Sequence, residues 1–97
     1  VDLGELQDVI ERTYGARDHE RGVPSTVAWL TEELGELAQA VRKGTRADLE
    51  HEFSDVLAWL ATLANQLDVD LTTAVDRFRD GCPKCDELPC ACTSPGE

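Results

Sequence analysis

Positive charge is scarce in this 97-residue sequence: nine Lys and Arg stand against 20 Asp and Glu, a formal net charge of −11. The backbone of a nucleic acid would repel such a chain unless its cations were clustered. They are instead scattered from Arg12 to Lys84, which excludes nucleic acid as an expected partner. Long apolar runs are missing too. None approaches the roughly 20 residues of a membrane span, and no basic-then-apolar leader opens the chain, so the expectation is a cytoplasmic protein with no membrane partner. Aromatic residues are few, two Trp, two Phe and one Tyr, which suits packed helices better than a β-sandwich. Cysteine is absent from residues 1–81, and all four, Cys82, Cys85, Cys90 and Cys92, crowd into the tail. They form a local device, since cysteines stapling a whole fold would be spread along it.

What is present is helical periodicity. Leu3, Leu6, Val9 and Ile10 predict a first helix from about Asp2 to Tyr14, with Gly15 as its cap and residues 15–23 as a loop. Pro24 suits the first turn of a second helix, in which Val27, Leu30, Leu34, Leu37 and Val41 recur until Gly44. Thr45 and Asp48 resemble a capping box opening a third helix, striped by Leu49, Phe53, Val56, Leu60, Leu63 and Leu67. The link between these two is so short that they should form an antiparallel hairpin. Asp70 predicts the cap of a fourth helix to about Arg79, with Leu71, Ala74, Val75 and Phe78 inward. There is no internal repeat and no strand-like alternation, so the expected fold is all-α. Ninety-seven residues make one small domain, for which a metal, a disulfide or a partner subunit would be useful.

Two acidic pairs carry the chemistry: Glu33 and Glu36 on the second helix, Glu52 and Asp55 on the third. An i, i+3 spacing puts each pair on one helix face, on the flank of the apolar stripe. If the hairpin buries both stripes, four carboxylates converge. Unneutralised, they would oppose folding, so the cluster implies bound cations or raised pKa values. Oxygen-only ligation points to Mg²⁺ or Mn²⁺ before zinc. The alternative is that acidic pairs merely solvate a helix. Neither pair has a cation at i+4, where surface ion pairs usually place one. Trp29 precedes Glu33 by one turn and Trp59 follows Asp55 by one turn, so both indoles fall on the carboxylate faces, where they could stack on a nucleobase or fill core or interface.

The residues Glu32-Glu33-Leu34-Gly35-Glu36, fifteen intervening positions, then Glu52-Phe53-Ser54-Asp55 resemble the E-E-x-x-E … E-x-x-D signature of the MazG-like all-α nucleotide pyrophosphohydrolases. The likeness covers roughly residues 1–80 and implies a four-helix MazG-like bundle; the cysteine-rich tail, 81–97, departs from the family pattern. It implies Mg²⁺-dependent hydrolysis of NTPs or dNTPs to monophosphate and pyrophosphate, in nucleotide-pool house-cleaning, by a homodimer or homotetramer. Glu33, Glu36, Glu52 and Asp55 match the family's metal ligands. Glu32 matches its leading Glu, for a second ion or for the attacking water. A related activity on a biosynthetic nucleotide such as phosphoribosyl-ATP is the rival within the class. A non-catalytic acidic helical interaction module with a zinc-stabilised tail is the rival outside it.

Lys43 and Arg42 are the nearest sequence candidates for phosphate contact, although cations in a helix's last turn also suit its dipole. Arg42-Lys43-Gly44-Thr45 is not a P-loop, lacking the strand and the glycine spacing. His19 falls in the predicted loop before the second helix, where it could contact substrate. His51 is expected to face away from the apolar stripe, and both read as ordinary surface residues. In the tail, Cys82-x₂-Cys85 and Cys90-x-Cys92 suit a tetrahedral Zn²⁺. Disulfides or free thiols are the alternatives, and a reducing cytosol argues against the former.

Overall fold

A computed structural model describes residues 1–93, so the last four positions of the predicted tail lie outside the described residues. Three long helices dominate: α1 (Leu3–Arg21), α2 (Val23–Lys43) and α3 (Arg46–Gln66). A short α4 (Leu71–Val75) and a 3₁₀ turn, Asp76–Phe78, follow, and no strand occurs among the described residues. The fold is all-α, as periodicity predicts.

The first helix runs further than expected. Gly15 is buried inside α1, and the predicted loop reduces to Gly22. Ala16, Arg17, Glu20 and Arg21 all favour helix, which outweighs one interior glycine costing about 0.5–1 kcal/mol. The chain turns at Gly22 because its φ of +84° is a conformation that glycine adopts without strain. Pro24 sits in the first turn of α2.

The predicted capping box of α3 is present. The Asp48 amide donates to Thr45 Oγ1 at 3.2 Å and the Thr45 amide to Asp48 Oδ2 at 2.9 Å. The α2–α3 link is only Gly44 and Thr45, so the two 21-residue helices form the expected antiparallel hairpin. Helix α3 packs against both α2 and α1, while α1 and α2 scarcely touch. The Gln7 side chain fastens α1 to the α3–α4 corner, donating to the Val69 carbonyl at 2.6 Å and accepting from the Leu71 amide at 3.0 Å.

The apolar stripes divide in a way that sequence did not indicate. On α2 the less exposed positions are Thr26, Leu30, Glu33, Leu37 and Ala40, at steps of four and three; on α3 they include Leu49, Glu52, Val56, Trp59 and Leu63. These lines form the seam. Val27, Leu34 and Val41 each stand one residue after a seam position and are exposed, as are Phe53, Leu57 and Leu60 on α3. One residue is a turn of about 100°. Because the helices are antiparallel, that rotation carries both sets to the same side of the hairpin, giving one bare apolar face. The fourth helix is also shorter and barer than expected, with Ala74, Val75 and Phe78 exposed rather than inward.

Among the described residues the buried apolar core is accordingly small: Ile10, Ala40, Ala61 and Ala64. The Cα radius of gyration is 15.7 Å, against about 12–13 Å for a compact chain of this length.

Candidate metal and nucleotide site

The four predicted metal ligands occupy the hairpin seam and one side of it. Glu33 and Glu52 are on the seam lines themselves, where half-burial replaces the flank position expected from the helical wheel. Glu36 and Asp55 each precede a seam residue, Leu37 and Val56, so the antiparallel geometry turns both to the side opposite the bare apolar face. Oxygens of Glu33, Glu36 and Glu52 lie within 4.8 Å of one another. Ligand atoms of His51, Glu52 and Asp55 form a second such group sharing Glu52. Glu32 is exposed and belongs to neither.

The electrostatics are those of carboxylates crowded without compensation. Partial burial, then the charges of Glu36, Asp55 and Glu52, pushes Glu33 above the ordinary glutamate range. Burial and then Glu36 do the same to Glu52, partly offset by His51. Glu33 Oε2 and Glu52 Oε2 are buried and accept no hydrogen bond. A buried acceptor without a donor is costly, and here two of them sit on adjacent helices. The donor set, all hard oxygen with one imidazole at its edge, fits a divalent cation such as Mg²⁺ or Mn²⁺.

His51 is the residue that sequence reasoning undervalued. Its Nε2 lies 3.2 Å from Asp55 Oδ2, an i, i+4 relation that the spacing alone could have indicated. His19, by contrast, is in α1 rather than a loop. It lines a hollow of about 730 Å³, which none of the candidate carboxylates borders.

Two clefts flank the cluster. One, about 340 Å³, is bordered by Glu36 and Glu52 and by Lys43. The other, about 300 Å³, runs between α1 and α3 and is bordered by Asp55, Trp59, Tyr14, Asp18 and Arg21. The indoles of Trp29 and Trp59 stack on one another, centroids 5.9 Å apart and planes within 9°, and the Arg21 guanidinium lies 4.8 Å from the Trp59 ring centre. Trp29 borders neither cleft, so Trp59 is the indole beside the cavity and Trp29 its support.

Arg21 also donates to buried Asp18 Oδ1 at 2.8 Å, while Asp18 Oδ2 is buried without a partner. Asp18, Arg21 and Trp59 thus join α1 to the cluster, a link invisible in sequence because Asp18 lies in the stretch that reads as a loop.

The tail brings its four cysteines together. All four are free thiols whose sulfurs lie within 4.8 Å of one another. Amide hydrogen bonds, from Cys85 and then Lys84, lower Cys82 to about 6, while Cys90 and then Cys82 push Cys92 up to about 12.

Comparison with known proteins bears on this geometry. The family described as MazG nucleotide pyrophosphohydrolase domain matches residues 21–84, taking in both acidic pairs and all of α2, α3 and α4. The uncharacterized protein YpjD of Bacillus subtilis (strain 168) is 48% identical over 61 residues, covering 53% of this chain and 55% of that protein. The chain thus spans about half the length of this curated relative. No helix among the described residues is long and apolar enough to cross a membrane.

Proposed function

The chain belongs to the MazG nucleotide pyrophosphohydrolase domain family, and from that premise we propose that it hydrolyses nucleoside triphosphates, ribo or deoxyribo, to the monophosphate and pyrophosphate. The setting is the cytoplasm and the role nucleotide-pool house-cleaning. The observation that carries this reading is the pair of orphaned buried oxygens, Glu33 Oε2 and Glu52 Oε2, on residues whose carboxylates approach within 4.8 Å at the α2–α3 seam.

Glu33, Glu36, Glu52 and Asp55 hold Mg²⁺, with Mn²⁺ as a substitute. When bound there, the ion supplies neutralisation of phosphate charge and a water of lowered pKa. The protein's own residues do the rest. His51 orients Asp55 through their contact. Lys43 meets phosphate oxygens from the Glu36–Glu52 cleft. Trp59, backed by Trp29 and Arg21, offers its face to the base from the cleft that Asp55 borders. Glu32 acts on the attacking water or a second ion from its exposed position. This arrangement accounts for an acidic protein holding a polyanion, because the contact is made through metal.

The bare face of Val27, Leu34, Val41, Phe53, Leu57 and Leu60 supports association into a homodimer or homotetramer, with the carboxylates on the opposite side of the hairpin. Exposed apolar surface of this extent marks an interaction site, and the small enclosed core leaves it to a partner subunit to bury more.

The deciding experiment measures pyrophosphate release from a panel of NTPs and dNTPs with Mg²⁺. The wild type is expected to be active and to lose activity in EDTA. Glu52→Gln and Asp55→Asn should fall by at least about 100-fold, the scale of a metal's contribution to the transition state. No metal-dependent release from any nucleotide would overturn the enzymatic reading; full activity in both variants would overturn the ligand assignment.

A further inference from the structure

Among the described residues, the tail after the 3₁₀ turn has neither regular secondary structure nor a core of its own. Its one large aliphatic residue, Leu88, is 82% exposed. A segment so poor in buried apolar surface needs another source of cohesion to offset its ordering entropy. What it does have is a set of backbone contacts arranged around sulfur. The Lys84 amide points at Cys82 Sγ (3.4 Å), the Ala91 amide at Cys85 Sγ (3.4 Å) and the Cys92 amide at Cys90 Sγ (3.3 Å). Two backbone bonds close the intervening loop, Asp86 N to Cys82 O at 2.7 Å and Cys82 N to Glu87 O at 3.0 Å.

The sulfur separations discriminate between the chemistries open to four thiols. Cys82 Sγ and Cys92 Sγ are 3.7 Å apart. A disulfide requires about 2.05 Å. The edge of a tetrahedron with zinc–sulfur bonds of about 2.3 Å is about 3.8 Å. Three amides directed at sulfur are donors for thiolates, which accept charge-assisted hydrogen bonds. Cys82, Cys85 and Cys92 are half-buried and Cys90 exposed, so an ion can enter from the Cys90 side.

From this geometry we propose that Cys82, Cys85, Cys90 and Cys92 form a structural zinc site, a four-thiolate tetrahedron that folds the tail. Binding converts four thiols and one Zn²⁺ into a tetrathiolate of net charge −2 and releases four protons. All four positions are filled by protein, so the site is closed and takes no part in hydrolysis. It shares no residue with the carboxylate cluster and stands or falls independently of it.

The test uses the full chain purified under reducing conditions. Elemental analysis should give one zinc per chain, and Co²⁺ in its place should give the absorption of a tetrahedral cobalt thiolate. Cys82→Ser and Cys90→Ser should each lower zinc affinity by more than about 100-fold, beyond the loss expected from an outer-shell partner. A chelator should abolish hydrogen-exchange protection at the Lys84, Ala91 and Cys92 amides while leaving α2 and α3 protected. The proposal is overturned by failure to load zinc stoichiometrically. It is equally overturned by unchanged affinity in both variants, by amide protection indifferent to the chelator, or by an intact mass showing two disulfides in the reduced preparation.

Discussion

Alanine at Gly44 and alanine at Gly35 should move stability in opposite directions, because the two glycines meet different surroundings. A Cβ on Gly44 would sit 2.7 Å from the Ala40 carbonyl oxygen, 2.9 Å from Ala40 Cα and 3.1 Å from Asp48 Cβ. The first two atoms are backbone of the last turn of α2, and Ala40 is buried, so relief requires moving the corner that sets α2 against α3. Overpacking of this kind costs 1–3 kcal/mol, here taken as about 2. Gly35 is exposed and helical, and its Cβ would meet nothing within 4 Å. Alanine there gains helix propensity, about 0.5–1 kcal/mol.

At roughly 4–8 °C per kcal/mol for a domain of this size, Gly44→Ala should lower Tm by about 8–16 °C and Gly35→Ala should raise it by about 2–8 °C. Circular dichroism melts at one protein concentration without divalent ions provide the assay, since metal and partner binding shift Tm by mass action. Gly44→Ala should also weaken Mg²⁺ binding by displacing Glu36 relative to Glu52, whereas Gly35→Ala should not. Gly44→Ala melting with the wild type would refute the close approach at the corner. A lowered Tm for Gly35→Ala would mean that something packs on that Cα, contrary to its exposed position.

Stability of the metal-free protein should depend on pH with two signs. Glu33 and Glu52 hold their protons more tightly folded than unfolded, so their contribution is fully present below the ordinary value of 4.5 and is lost as pH rises through the raised values. Hydrogen bonds from the Thr45 amide and then its side chain lower Asp48; its contribution is present above 3.8 and is lost as pH falls through the depressed value. Melts should therefore peak at mildly acidic pH, with Glu33→Gln flattening the neutral limb; a flat profile for the wild type would count against the crowded carboxylates. Arg21→Ala strips the partner from buried Asp18 and should cost about 2 kcal/mol, read by urea unfolding, while Arg12→Ala, whose ion pair is exposed, should be near neutral. Leu34→Asp or Phe53→Lys should shift sedimentation toward a single chain, and unchanged association in both would show that the bare face is not the subunit contact.

Sequence alone determined the helices, because the information for them is local. The period of three and four, Pro24 in a first turn, the Thr45–Asp48 box and the two-residue corner act within a few positions of one another, and each is present. The same locality made the i, i+3 acidic pairs legible. It misled at Gly15, where one glycine and the polar residues after it read as a loop: helix-favouring Ala16, Arg17, Glu20 and Arg21 outweigh that glycine, and packing on α3 reinforces them, with Gln66 donating to the Asp18 carbonyl at 2.7 Å.

Tertiary structure alone decided which part of each broad apolar stripe is buried. Helical periodicity cannot choose between lines 100° apart, and the crossing of α2 with α3 selected the line carrying Glu33 and Glu52 over the one carrying Leu34 and Phe53. That choice puts two carboxylates in the seam, where burial and neighbouring like charges push both above the ordinary glutamate range. It also stacks Trp29 on Trp59, brings Arg21 and Asp18 to the cluster, and folds the tail until four sulfurs meet. These are contacts between residues far apart along the chain or held by irregular backbone, and no periodicity encodes them.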